Sequence, residues 1–245
     1  MKNFLTLIKV VTYHVLFRRL KLVKHTNCFR VTDGDGNSIH FPFLRRYLFY
    51  FNGVETRLNQ VKERYFYRPQ SNMLVLDIGA HIGEFTMVAA RESKQVICFE
   101  PDPIVRDVLV LNTKMLNNVK IMPIGLSDQN KETEFFIATM HADSSFIKPS
   151  NYDSVINISS KRLDSIEINY VNFDYVLLKM DAEGFEPEVL LGASGILKHV
   201  DECVVDVSPE RLGQSTLSEV KTILQNSGFK YVTLSQDMVL KMVKQ

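Results

Sequence analysis

The chain has 245 residues, 45% hydrophobic and 23% charged, with a formal net charge of +1. That is enough for one large α/β domain with a substantial core, and no glycine-, serine- or proline-rich linker, internal repeat or low-complexity tract divides it. The near-neutral balance argues against bulk nucleic-acid binding. Cys28, Cys98 and Cys203 form no C-x-x-C pair and read as buried free thiols in a reducing compartment.

Basic charge gathers at the start. Of the 29 Lys and Arg, seven fall in residues 1–32, which contain no acid. Residues 4–17 are mostly apolar, but Lys9 interrupts them and Arg18-Arg19 closes them. The run is too short to span a bilayer, and no small-residue cleavage site follows it. Phe4, Ile8, Val11 and Val15 share a helical stripe opposite Lys9. The expectation is an amphipathic helix docked on its own domain or on a second copy in a homo-oligomer. The alternative is peripheral contact of residues 1–24 with an anionic membrane surface. The expected location is cytoplasmic, with or without that membrane association.

Phe29 to Phe43 predicts a hairpin around Asp33-Gly34-Asp35-Gly36-Asn37, which supplies the positive-φ positions a tight turn needs. The same residues lack the distal Glu of an EF-hand calcium loop. Residues 44–68, rich in Arg, Tyr and Phe, are expected to be helical in part and to cover the open side of a site. The predicted division is a helix and hairpin cover over 1–70 and a main domain over 71–245.

From there strands and helices alternate. Strand 73–77, helix 83–93, strand 96–100, helix 103–116 and strand 119–124 come first. Extra strands at 133–139 and 154–158 and a short helix over 161–168 follow. The pattern closes with strand 174–180, helix 186–198, strand 202–207, helix 216–227 and the strands 229–235 and 238–243. Tyr175-Val176-Leu177-Leu178 and Cys203-Val204-Val205 are apolar on both faces, as a covered parallel sheet requires. Strict β-α-β alternation predicts a doubly wound, Rossmann-like sheet with helices on both faces. Ligands in such sheets sit at the carboxyl ends of the strands, where Asp77, Glu100, Asp181 and Asp206 all fall.

Val75 to Thr86 reads as a buried strand, a glycine turn and a helix, and about twenty residues on a second strand ends at Glu100. A dinucleotide site wants G-x-G-x-x-G aimed at a pyrophosphate. Here the pattern is Asp77-x-Gly79-x-x-x-Gly83, with His81 between the glycines and no Gly-Lys-Ser/Thr. An acid in that turn is awkward beside a pyrophosphate and useful beside an ammonium group. S-adenosylmethionine carries an ammonium, a sulfonium and no phosphate, so the loop favours it over NAD. Glu100 stands where one carboxylate can accept from both ribose hydroxyls.

The second informative stretch is Asp174 to Glu186. It places Lys179, Asp181 and Glu183 on one side of a continuing strand, with Gly184 turning the chain away. Helix capping competes for Asp181 and Glu183; Glu186 and Glu188 are read as ordinary acids of a helix's first turn.

The runs Leu76 to Gly83, Phe99-Glu100-Pro101 and Leu178 to Glu186, with Ser144-Ser145-Phe146 and Arg162-Leu163-Asp164-Ser165-Ile166, resemble the FkbM-type S-adenosylmethionine-dependent methyltransferases. The resemblance spans roughly 70–240. It implies a class I methyltransferase fold, a mostly parallel seven-stranded sheet with an antiparallel last strand. It also implies methyl transfer to oxygen, often on sugars, glycolipids or polyketides. His81 departs from the family, which usually carries Asn there; both hydrogen-bond, but His also titrates.

Matched by position, Asp77, Gly79, Gly83 and His81 are expected at the methionine portion of the cofactor, Glu100 at the ribose, and Ser127 and Asp128 at the adenine. An aliphatic hydroxyl must lose its proton near the transition state, so a base is expected. In this fold the end of the fourth core strand faces the methyl group, which makes Asp181 the first choice. Glu183 would share that work or bind sugar hydroxyls. Lys179 would hold an anionic acceptor group or pair with either acid, and His141 is a second candidate base. A divalent metal between Asp181 and Asp206 is the rival route to activation, although no ligand spacing forces it and no metal site is assigned. The expected partner is a small-molecule or glycan acceptor and not a nucleic acid. The competing functions are a nucleotide-dependent oxidoreductase and an inactive binding module on the same fold.

Overall fold

The computed structural model describes residues 20–138, 144–149 and 151–245. The expected N-terminal helix and His141 lie outside the described residues. The chain opens with a small antiparallel sheet of β1 (Lys21–Lys24), β2 (Phe29–Thr32) and β3 (Ser38–Phe41). The Asp33 carboxylate ties its turn by accepting from the backbone N–H of Asp35 and Asn37. Its second oxygen accepts from Val54 N–H at 3.0 Å, at the start of the first α-helix. Asp33 therefore acts as a turn and helix-start acceptor. A 3-10 helix, Leu44–Tyr50, and α1, Val54–Arg64, follow.

The main sheet begins with β4 (Met73–Ile78), and α2 (Glu84–Glu92), β5 (Gln95–Phe99), α3 (Pro103–Thr113) and β6 (Val119–Met122) follow. A three-stranded insertion holds β7 (Gly125–Leu126), β8 (Lys131–Ile137) and β9 (Ser154–Lys161). The chain returns through β10 (Tyr175–Met180), α4 (Glu186–Gly192), β11 (Glu202–Asp206), α5 (Leu217–Asn226), β12 (Phe229–Leu234) and β13 (Val239–Lys244). The sheet order is β12-β13-β11-β10-β4-β5-β6. The pairs among β11, β10, β4, β5 and β6 are parallel, and β13 runs antiparallel to both its neighbours. This is the class I methyltransferase sheet.

Every residue of β4 is buried, because helices cover both faces. Alternation sends Met73 and Val75 to one core, with α1, α2, α3 and the aromatics Tyr47, Tyr50 and Tyr67 of the N-terminal segment. Leu74, Leu76 and Ile78 go to the other, with α4 and α5. The N-terminal cover thus shares its core with one face of the main sheet. Asp77 and Lys179 belong to that same face, at paired positions on neighbouring strands.

The largest departure from expectation is the predicted helix 186–198. It stops at Gly192 and resumes as a 3-10 turn, Ile196–His199. A Cβ on Gly192 would lie 1.9 Å from the Ser127 carbonyl oxygen, so the insertion presses against the helix end. Asp164 then accepts from the N–H groups of Gly195 and Ile196, satisfying a helix start where a continuous helix had been expected. The predicted helix over 161–168 is a single 3-10 turn, Leu163–Ser165.

Candidate active site

The carboxyl edge of the sheet opens into a cavity of about 280 Å³. Its floor is the turn after β4. Gly79 has φ +70°, and a Cβ there would lie 1.8 Å from the Asp181 carbonyl oxygen, so only glycine lets the ends of β4 and β10 approach. His81 also takes a left-handed conformation, φ 52°. Asn and His tolerate that region better than branched residues, which fits His where the resemblance implies Asn.

Glu100 is buried at the end of β5. Its Oε2 accepts from His81 N–H at 2.7 Å and its Oε1 from Asp102 N–H at 2.9 Å. Burial raises its carboxyl to about 7, and these two hydrogen bonds only partly oppose the shift. A carboxylate so placed gains from further hydroxyl donors.

Asp77 lies behind the floor, fully buried. Its Oδ2 accepts from Thr86 Oγ1 at 2.6 Å, and its Oδ1 stands 3.1 Å from Lys179 Nζ. Lys179 also donates to the Gly79 carbonyl at 3.0 Å and lies under the Tyr65 ring, 5.0 Å from its centroid. Burial alone would lower the Lys179 ammonium, but Asp77 and Asp181 outweigh it and hold the group charged. Its partner is therefore Asp77 on the adjacent strand, and the pair braces the turn from below.

Asp181 follows β10 and faces the cavity. Its Oδ2 accepts from Tyr65 Oη at 2.7 Å. Burial raises its carboxyl, Lys179 opposes this, Asp206 adds to it, and the net shift is upward. Asp206 is given to Arg64. Glu183 does not continue the strand, which ends at Met180; it sits in the following turn at φ 52°. The buried Glu186 holds that turn. Its Oε1 accepts from Ala182 and Gly184 N–H and its Oε2 from Thr216 Oγ1, all at 3.0 Å. Glu186 is thus more than a first-turn acid. Glu188 pairs with Arg211. Asp181, Glu183 and Glu210 each place a carboxylate oxygen within 4.8 Å of the others, an oxygen-rich cluster at the far side of the cavity.

Among the residues expected at the cofactor, Gly79, His81 and Glu100 line the cavity together with Lys179, Asp181 and Glu183. Asp77 and Gly83 lie outside its wall. Ser127 and Asp128 also lie outside, near Gly192; the wall there is Ile124, Gly125 and Leu126. The Ser144-Ser145-Phe146 run closes the same side. Ser144 donates to Asp102, Ser145 donates to the Glu183 carbonyl, and Phe146 packs over Gly125, where a Cβ would lie 2.3 Å from its ring. Sequence reasoning had left Arg46, Arg57, Arg64, Tyr65, Glu84 and Glu210 unnamed, and all six line the cavity. The only signal was the Arg- and Tyr-rich composition of 44–68, read as a cover without individual roles.

The sheet order, the glycine turn and the acid after β5 define a class I methyltransferase fold. The model of the methyltransferase FkbM domain matches residues 77–231, and the chain belongs to that family. Its cofactor is S-adenosylmethionine. The 2-O-methyltransferase NoeI of Sinorhizobium fredii is 25% identical over 173 residues, covering 62% of this chain and 70% of that protein. Magnesium protoporphyrin IX methyltransferase of Synechocystis PCC 6803 with bound S-adenosylmethionine superposes with a TM-score of 0.44 at 12% identity, covering 78% of both chains. Precorrin-6y C5,15-methyltransferase of Geobacter metallireducens gives 0.44 at 12% identity, covering 78% of this chain and 88% of that one. No helix among the described residues is long and apolar enough to cross a membrane.

Proposed function

We propose that the chain methylates a hydroxyl oxygen of a sugar, glycolipid or related small molecule, with Asp181 as the base. The observation that carries this is the Asp181 carboxylate. It stands at the strand end, facing the cavity, with its basicity raised and one oxygen held by Tyr65. That leaves Oδ1 to face an incoming hydroxyl. The relative NoeI bears the name of a 2-O-methyltransferase, which supports oxygen as the acceptor atom.

A second cavity, of about 430 Å³, opens beside the first and shares Glu183 and Glu210 with it. Ser145, Ile147, Pro149, Leu212 and Gly213 complete its wall among the described residues. Carboxylates that accept from hydroxyls, beside aliphatic surface, suit a polyhydroxylated acceptor.

The bound cofactor supplies an electrophilic methyl group on a sulfonium. With the methyl donor bound, Asp181 would take the acceptor hydroxyl's proton as the methyl group passes from sulfur to oxygen, ending protonated beside the methylated acceptor and S-adenosylhomocysteine. Glu183 and Glu210 orient the acceptor; alignment of this kind lowers barriers by about 7–11 kcal/mol. Lys179 and Asp77 keep the floor rigid, and Glu100 binds the ribose.

The test follows labelled methyl transfer from S-adenosylmethionine into cell extracts, with mass analysis of the product. Asp181→Asn is expected to retain cofactor binding and to lose about 10²–10⁴-fold in turnover, the usual worth of a positioned base. Normal turnover by Asp181→Asn removes the base assignment, and label on nitrogen or carbon removes the O-methyl reading.

A further inference from the structure

Among the cations that line the cavity, two are matched one to one. Lys179 has Asp77, and Arg64 has Asp206. Arg46 and Arg57 differ, because they share a single acid, Glu84, at the start of α2. Arg57 donates through Nε and Nη2 at 2.9 and 3.0 Å, Arg46 through Nη2 at 3.1 Å, and Tyr50 Oη donates at 2.7 Å. Four donors fill the acceptor sites of one carboxylate. Burial by itself would raise the Glu84 carboxyl, but the two guanidiniums outweigh it and hold it down at about 2. Glu84 is therefore ionised and fully used, and the cluster carries one surplus positive charge in a largely buried setting.

Two further observations show that this charge is held ready for an anion. Arg46 Nε is buried and has no hydrogen-bond partner among the described residues. The Phe49 ring lies against both guanidiniums, its centroid 5.4 Å from Arg46 and 5.0 Å from Arg57. The first turn of α2 adds the positive end of a helix. Elsewhere the cavity presents acids, including Glu100, Asp181, Glu183 and Glu210. S-adenosylmethionine has one anionic group, the carboxylate of its methionine portion, and among the described residues this is the place in the cavity with surplus positive charge to meet it.

We propose that Arg46 and Arg57 bind the cofactor's methionine carboxylate, so that a segment lying before the family-matched residues completes the cofactor site. The assignment orients the ligand. The carboxylate lies under the N-terminal cover, the ribose at Glu100, and the sulfonium toward Asp181. It also gives the cover a role distinct from acceptor choice, and it holds whatever the acceptor is.

Isothermal titration calorimetry of the full chain with S-adenosylmethionine and with decarboxylated S-adenosylmethionine tests this without any acceptor. The wild type is expected to bind the carboxylated form at least about tenfold more tightly, as charged hydrogen bonds imply. Arg46→Gln leaves the Arg57–Glu84 pair intact and removes the surplus charge, so the ratio should fall to within about threefold of unity. Glu84→Gln keeps both cations, so the ratio should hold or grow. Equal affinities in the wild type overturn the proposal, as does full discrimination by a folded Arg46→Gln. If that variant does not melt cooperatively, Arg46→Lys, which keeps the charge but loses the fork, should show an intermediate ratio; an unchanged ratio counts against the proposal. A loss of O-methyl transfer with the affinity ratio intact would instead count against the proposed reaction.

Discussion

The two sides of the cavity differ in how far apart in the chain their parts lie. On the glycine-turn side, Glu100 meets the His81 amide 19 residues away, and Thr86 meets Asp77 nine residues away. On the Asp181 side, Tyr65 reaches across 116 residues and Arg64 meets Asp206 across 142. The first side is a local strand-turn-helix-strand unit. The second is assembled by the sheet order, which sets β10 beside β4 and lays the N-terminal cover over their ends. On the proposed reading, the first side binds the methyl donor and the second meets the acceptor.

The comparison is tested most severely at Gly79. In Gly79→Ala the new Cβ meets a backbone carbonyl at φ +70°, so left-handed strain and overpacking together cost about 2–5 kcal/mol. Thermal melting should show that loss, and calorimetry should show cofactor affinity lowered at least about a hundredfold. An unperturbed variant would mean that the strand ends approach less closely than described here.

Glu100→Ala probes the same side with a smaller effect. Loss of a buried carboxylate's hydrogen bonds to the ribose should weaken the cofactor by about 10–100-fold. The wild type should also show a pH signature. Burial raises Glu100 to about 7, so its proton stabilises the cofactor-free fold below the unfolded carboxyl value, and that stability is lost as pH rises through about 7. The ionised form is the one that accepts from ribose hydroxyls. Cofactor affinity should therefore climb between pH 6 and 8, and Glu100→Gln should flatten the climb. A flat wild-type profile would place the ribose elsewhere.

Tyr65→Phe sharpens the other side and has the smallest expected effect. Tyr65 donates to the charged form of Asp181 and lowers its carboxyl, opposing the upward pull of burial. Removing the hydroxyl should move the acid limb of the kcat profile to higher pH, with cofactor affinity unchanged. An unmoved limb would assign Tyr65 to packing alone, where its ring already meets Phe85 edge-on.

Much of the donor edge was legible because its signals are short-range. The apolar run of β4, the Gly79 to Gly83 turn and the acid after β5 lie within one strand-helix-strand unit, and the structure holds them as read. The Asp181 side was legible only in part. Asp181 stood out at a strand end, but its partner did not, because nothing near Tyr65 in sequence marks it as facing an acid. Lys179 was expected to hold an anionic acceptor group or to pair with Asp181 or Glu183, yet strand register sets it against Asp77. Ser127 and Asp128 carried turn chemistry that reads equally as a ligand site, and Gly192 packs on Ser127. Nothing near Glu84 in sequence marks its partners, because the two arginines that use it come from the cover.

By itself the sequence determined the alternation of strands and helices, the absence of a phosphate-binding turn, and the acids at the strand ends. These follow from hydrophobic period and local backbone preference, which act over a few residues. Only the tertiary structure decided which charges neutralise one another. The same four lining cations could pair in several ways, and it is strand register and the packing of the cover that leave Arg46 and Arg57 with one carboxylate between them.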